Sequence, residues 1–218
     1  MTIEDASAFL QIEAKELRAL VTSGEIPCIR QGERIMFEHD ELDNWYSNRL
    51  VRHIPIRHCE YAKTVPDEMR IADYCRVETM ETNLAGKTKP AILRALTELA
   101  ERSGLLYDPK EFLDNIQKRE EVASTAMAEG IALVHPQTRD EYTCEAPFIA
   151  IAKTSKPVFF GEENGVPTDI FFIVCSPDAQ EHIQLLAKLC QAIAKGKLLN
   201  ALREATSPDE MMAAVENE

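Results

Sequence analysis

The residue best placed for chemistry is His135, which closes the apolar run Gly130-Ile131-Ala132-Leu133-Val134 and directly precedes Pro136. Proline has no N–H to give to a central strand ladder, so the imidazole stands where a strand gives way to a loop. A side chain at such an edge is carried by a rigid sheet yet faces an open end. Imidazole is partly neutral near pH 7 and therefore nucleophilic, which suits it to accepting a phosphoryl group. The plainer reading is a histidine that only ends a strand. The other reactive side chains are six cysteines, at positions 28, 59, 75, 144, 175 and 190. They form no C-x-x-C pair and lack the dense spacing of a secreted disulfide framework, so reduced structural thiols are expected.

The run that presents His135 is one of four short apolar segments, GIALVH, PFIAIA, PVFF and TDIFFIVC, each bounded by Gly, Pro or polar turns. They predict buried strands. Helices are predicted around them: KPAILRALTELAERSG, stopped by Gly104, and DPKEFLDNIQKREEV, opened by Asp108 and Pro109 with the D-x-x-E spacing of a capping box. Two more follow, SPDAQEHIQLLAKLCQAIAKG with Ser176 as N-cap and Pro177 in its first position, and SPDEMMAAVE with Ser207 and Glu210 as a capping box. Helices that bracket a sheet predict a layered α/β domain over residues 70–218. Taken singly, Arg119 reads as a surface cation at a helix C-terminus and His182 as an exposed residue of a first turn.

Residues 1–52 predict a separate small unit: a helix in TIEDASAFL, a second in IEAKELRALVTSG ending at Gly24, a turn and strand in EIPCIRQGERIMF, and a last helix in HDELDNWYSNRL. In that last helix Asp40 is the expected N-cap, and Leu42, Trp45 and Tyr46 share an apolar face. Residues 53–69 have no sustained period and include Pro55, which predicts a linker. The whole chain carries 24 basic against 37 acidic residues, a net charge of −13, so contact with nucleic acid or an acidic membrane must rest on a local basic patch. The first residues carry acids where a signal peptide needs bases, and no run approaches the roughly 18 apolar residues of a membrane span. A cytoplasmic protein without a membrane partner is the expectation.

The stretch REEVASTAMAEGIALVH, residues 119–135, resembles the active-site region of phosphotransferase-system enzyme IIA of the mannitol, fructose and nitrogen-regulatory class. In that family an arginine opens R-E-x-x-x-S/T, which leads into G-I-A-x-P-H-G. The resemblance implies that Arg119 is this arginine and His135 the phosphorylated histidine, with Ser124 and Thr125 at the expected place between them. EHIQ, with His182, is similar to the segment that carries the family's second active-site histidine. Over about residues 70–216 the resemblance implies an enzyme IIA-like α/β fold, a mixed sheet flanked by helices on both faces. It further implies that a histidine-containing phosphocarrier protein delivers phosphate to His135, with Arg119 and His182 stabilising the transferring oxygens and neither cofactor nor metal required. Phosphoryl transfer spreads charge over those oxygens, so positioning and cationic stabilisation are what it needs. Val134 and Pro136 depart from the family's proline and glycine, and Pro136 removes a backbone N–H beside the chemistry. A live acceptor and a retired one both stay open.

Residues 1–46 resemble the excisionase and MerR-type winged helix-turn-helix module, carried by Gly24-Glu25-Ile26-Pro27 and Trp45. That resemblance implies DNA contact through Lys15 and Arg18 on the second helix and Arg30 and Arg34 in the hairpin. Yet residues 1–52 hold six basic and ten acidic residues, a net of −4, with Glu13, Glu16 and Glu33 among the would-be contacts. Protein binding or dimerisation therefore stands beside DNA binding. Three functions follow: a carbon- or nitrogen-status regulator in which phosphate on His135 controls a DNA-binding end, an enzyme IIA passing phosphate to a sugar permease, and a non-phosphorylated binding module. The regulator is preferred, because a fused DNA-binding-like unit would be idle in sugar transport. Its partners would be the phosphocarrier, DNA and a regulated target protein, with a second copy of the chain left open.

Overall fold

Three strands alternate between two apolar faces, and that alternation sets the architecture. The computed structural model describes residues 1–32, 34–53, 65, 66, 68–138, 142–161 and 165–218, with 50–53 described by backbone alone. Most of the linker expected over 53–69 lies outside the described residues, as do Glu33 and Cys59. The other five cysteines carry reduced thiols.

The first unit consists of α1 (Ile3–Leu10), α2 (Ala14–Ser23), a hairpin of β1 (Ile29–Gln31) and β2 (Arg34–Met36), and α3 (His39–His53). Thr2 and Asp5 close a full capping box on α1, and Gly24 ends α2 in the left-handed conformation expected of a C-terminal glycine. Helix α3 begins at His39, so Asp40 lies in its first turn, where its charge still favours the helix dipole, instead of at the N-cap.

The second unit follows a 3₁₀ turn over Ile71–Tyr74 and runs β3 (Cys75–Glu81), α4 (Lys89–Glu101), α5 (Pro109–Val122), β4 (Ala126–Met127), a 3₁₀ turn over Ala128–Gly130, β5 (Ile131–Val134), β6 (Phe148–Val158), β7 (Thr168–Cys175), α6 (Ala179–Ala194), α7 (Lys197–Glu204) and α8 (Pro208–Glu216). The sheet order is β3-β6-β7-β5-β4. Strand β6 runs antiparallel to β7 and parallel to β3, while β5 runs parallel to β7 and antiparallel to β4. The sheet is thus mixed, as expected.

Because side chains alternate along a strand, Ile131, Leu133, Ile149, Ile151, Ile170, Phe172 and Val174 face one side, toward Leu185, Leu186 and Leu189 of α6. Ala132, Val134, Ala150, Phe171 and Ile173 face the other, toward Leu96 of α4 and Ile116 of α5. Helices therefore cover both faces. Truncating one of these central phenylalanines to alanine would cost about 3–5 kcal/mol.

Several expectations are corrected. PFIAIA and the start of PVFF, read as two strands, belong to the single strand β6, which ends at Val158 and whose register is irregular between Lys153 and Val158, where Pro157 is accommodated near its end. Ser176 is not the cap of α6. Asp178 takes that place, accepting from Glu181 N, because its carboxylate reaches the third helical amide while Ser176 hydrogen-bonds the Glu181 side chain. Pro177 consequently precedes the helix. In the box at α8, Ser207 accepts from Glu210 N, but the Glu210 carboxylate reaches back to Thr206, one residue earlier than expected.

Candidate active site

Helix α5 brings Arg119 to its C-terminal turn, β5 ends one residue before His135, and α6 carries His182 in its first turn. The structure brings these three together. His135 and His182 are 0% exposed and Arg119 is 1% exposed, so neither Arg119 nor His182 occupies the surface position that either would hold alone. Arg119 donates from Nε to His135 Nε2 at 3.1 Å and from Nη1 to the Ala123 carbonyl at 2.8 Å. The ring centroids of His135 and His182 are 5.4 Å apart.

His135 Nδ1 lies 2.8 Å from the Leu133 carbonyl. A carbonyl only accepts, so Nδ1 carries the proton and Nε2 keeps its lone pair toward Arg119. Burial, and after it the guanidinium of Arg119, pull the imidazole down to about 3, against a smaller opposing pull from the Leu133 carbonyl. The ring is therefore neutral at physiological pH, and its free nitrogen faces a cation. The α6 N-terminus lies one turn before His182, with Asp178 capping its amides. Chemically, this arrangement favours an anion built onto Nε2.

Two further residues frame the site. Glu120 is buried beside Arg119; its carboxylate accepts from Lys89 Nζ at 3.0 Å, from Thr125 N at 2.9 Å and, through a short bond, from Thr125 Oγ1. That ties the start of α4 and the end of α5 to the segment leading into β4. Asn48 of α3 accepts from Arg119 Nη2 through Oδ1 at 2.8 Å, bringing the first unit into the site. Neither was singled out from the sequence. A carboxylate in the last turn of α5, where the helix dipole disfavours anions, was a legible cue for Glu120. Nothing local marks Asn48.

Ser124 lies beside Thr125 and accepts from Ala126 N, so its hydroxyl supports the turn into β4. The four candidate DNA contacts sit elsewhere, on the first unit. Lys15, Arg18, Arg30 and Arg34 are all exposed. Arg18 pairs with Glu4 at 3.3 Å, and Arg30 donates to the Val21 carbonyl at 3.2 Å.

A five-stranded mixed sheet between two helical layers, preceded by two helices, a hairpin and a third helix, defines an enzyme IIA-like protein with a helix-turn-helix unit at its start. Residues 73–218 match the family "Phosphoenolpyruvate-dependent sugar phosphotransferase system, EIIA 2", and the chain belongs to that family. Residues 1–50 match "Helix-turn-helix domain". The "Nitrogen regulatory protein" of Pseudomonas aeruginosa is 27% identical over 135 residues, 61% of this chain and 86% of that protein. The "PTS system fructose-specific EIIABC component" of Bacillus subtilis is 24% identical over 146 residues, 66% of this chain but 22% of that protein. In fold, the chain is similar to the solved nitrogen regulatory protein IIA-Ntr of Neisseria meningitidis, with a TM-score of 0.59 at 22% identity, covering 66% of this chain and 98% of that one. Among the described residues no helix is long and apolar enough to cross a membrane.

Proposed function

We propose that this protein is a phosphotransferase-linked regulator, in which His135 accepts phosphate from a histidine-containing phosphocarrier and its phosphorylation state is coupled to a DNA-binding unit. The observation that carries the reading is the fixed tautomer, which turns the Nε2 lone pair of His135 toward Arg119, with His182 and the α6 N-terminus alongside. In the transfer, the Nε2–P bond forms as the carrier's N–P bond breaks, and the carrier's imidazole leaves with the electron pair. Arg119 and His182 hold the equatorial oxygens while the charge passes between rings. The domains proposed are 1–52 for the helix-turn-helix unit, 53–69 for the linker and 70–218 for the enzyme IIA domain. Lys15 and Arg18 on α2 are assigned to the DNA major groove, and Arg30 and Arg34 in the hairpin to DNA phosphates. The nitrogen regulatory relative supports a control function over sugar transport, as does the presence of a helix-turn-helix unit.

A second reading, a binding module with a retired acceptor, is favoured by Pro136, which denies the loop after His135 an amide donor. One experiment separates the two. The protein is incubated with the carrier, its phosphoenolpyruvate-dependent kinase and phosphoenolpyruvate, and its intact mass is measured beside His135→Ala. An acid-labile gain of one phosphate, lost in the variant, is expected; no gain with a carrier active on another acceptor leaves the binding module.

A further inference from the structure

A histidine that water cannot touch is equally closed to another protein's phosphohistidine, whose phosphorus must come within about 3–3.5 Å of the attacking nitrogen. His135 is in that state, at 0% exposure. Part of the cover is α3. Its Asn48 is hydrogen-bonded to Arg119, and the helix packs on α6, which carries His182, and on β4, which follows α5. Helix α1 also touches α6. One apolar cluster runs without a break from Leu17, Leu42 and Tyr46 to Leu133, Ile183 and Leu186.

The composition of α3 points the same way. Leu42 and Tyr46 mark its apolar side; by helical period, Asp43, Asn44, Ser47 and Asn48 form the opposite side. In a lone helix-turn-helix unit that polar side would face water. Here Asp43 and Ser47 are buried at 3% and 0% exposure, so something covers them, and α6 and β4 are the elements of the second unit that pack on α3. Asn44 Oδ1 and Ser47 Oγ are buried without a hydrogen-bond partner among the described residues. Polar atoms left this way weaken a contact and regain water when it opens, which suits a reversible interface.

We propose that the helix-turn-helix unit is the lid of the phosphoryl site: α3 sits on the surface where the phosphorylated carrier must dock, so docking of α3 and phosphoryl transfer exclude each other. The proposal rests on the reading of His135 as acceptor. Phosphate on Nε2 adds up to about two negative charges and acceptor oxygens that compete with Asn48 for Arg119, so the phosphorylated form releases α3. By reciprocity, whatever holds α3 away favours the phosphorylated form, and by uncovering His135 it also opens the site to the carrier.

The test uses the full chain and two variants of opposite sign. Asn48→Lys sets a cation against Arg119, whereas Asn48→Asp gives it a carboxylate. Phosphoryl uptake from the phosphorylated carrier is followed by intact mass, and amide hydrogen exchange of α3 is measured without carrier. Uptake is expected about tenfold faster in Asn48→Lys, with loss of α3 protection, and slower by a similar factor in Asn48→Asp, with protection kept. Misfolding cannot produce opposite signs from one position. Equal uptake in all three proteins overturns the lid, as does α3 protection that is the same in all three. If none takes phosphate but α3 is deprotected only in Asn48→Lys, the docking stands and the phosphorelay falls.

Discussion

Arg119 of the enzyme IIA domain is buried and aimed at His135 Nε2, whereas Arg18 of the helix-turn-helix unit lies in solvent, 3.3 Å from Glu4. The two show what a cation's setting does to its worth. In the first setting low polarity strengthens each interaction, and three fixed acceptors hold the guanidinium where charge would develop. In the second, water and salt screen the pair, which is worth at most about 1 kcal/mol. Under the proposed function, the fixed Arg119 cation would be preorganised for the transfer. Arg18 has the setting of an open surface cation.

The largest effect expected from that contrast is at Arg119. Arg119→Ala removes the cation from the transfer and should slow phosphorylation of His135 by about 10²–10³-fold. Arg119→Lys keeps a point charge but not the planar fork, and should recover part of the loss. Time courses of intact mass measure both. Wild-type uptake by Arg119→Ala would mean that the convergence around His135 is structural, erasing the contrast.

Next comes acid. Unfolded, the His135 ring protonates at its ordinary 6.5; folded, it does so only near 3. Between those values the unfolded chain binds one proton more, so stability falls as pH drops from about 6.5 toward 3, by up to about 1.4 kcal/mol per unit. Urea melts across that window should show a shallower slope in His135→Gln. An unchanged slope would place the acid sensitivity in other groups.

Sequence reading reached the two regions unequally. His135 was legible from the apolar run it closes and the proline after it, whereas Arg119 and His182, which singly read as surface residues, were reached only through the resemblance to the enzyme IIA pattern. The merging of PFIAIA with the start of PVFF was not legible, because TSKP between them looks like a turn while pairing on either side of it, at Lys153 and at Val158, keeps it extended. Strand β3 was missed because CRVETME is too polar to announce burial, with only Cys75, Thr79 and Met80 buried. Asn48 was out of reach for a different reason: its partner lies 71 residues away, and no local pattern encodes a contact between units.

Glycines sharpen the comparison at smaller cost. Gly130 and Gly24 both have positive φ, 78° and 74°. A Cβ on Gly130 would meet Asp169 Oδ1 at 3.0 Å and the Pro167 carbonyl at 3.1 Å, where Arg203 also pins the Glu129 carbonyl just before β5. A Cβ on Gly24 meets nothing within 4 Å. Gly24→Ala should therefore cost about 1 kcal/mol, the left-handed penalty alone, and Gly130→Ala about 1–2 kcal/mol more. Denaturant melts with equal costs would show that the entry to β5 yields as readily as the α2 terminus.

The smallest effect belongs to Arg18, and it tests whether the first unit reads DNA at all. Arg18→Ala should leave stability within about 0.5 kcal/mol, because an exposed pair with Glu4 contributes little. If Arg18 meets a phosphate, however, the variant releases about one fewer counterion on binding, so the slope of log affinity against log salt should fall by about 0.9. The effect should be uniform over sequences, since a phosphate contact carries no base information. The experiment is a salt titration of duplex binding by the full chain and by Arg18→Ala. With a net charge of −4 over residues 1–52, nonspecific attraction is weak at the outset, so one contact is a large share of the slope and the change is measurable. An unaltered slope would remove Arg18 from the DNA face and favour a protein partner for α2.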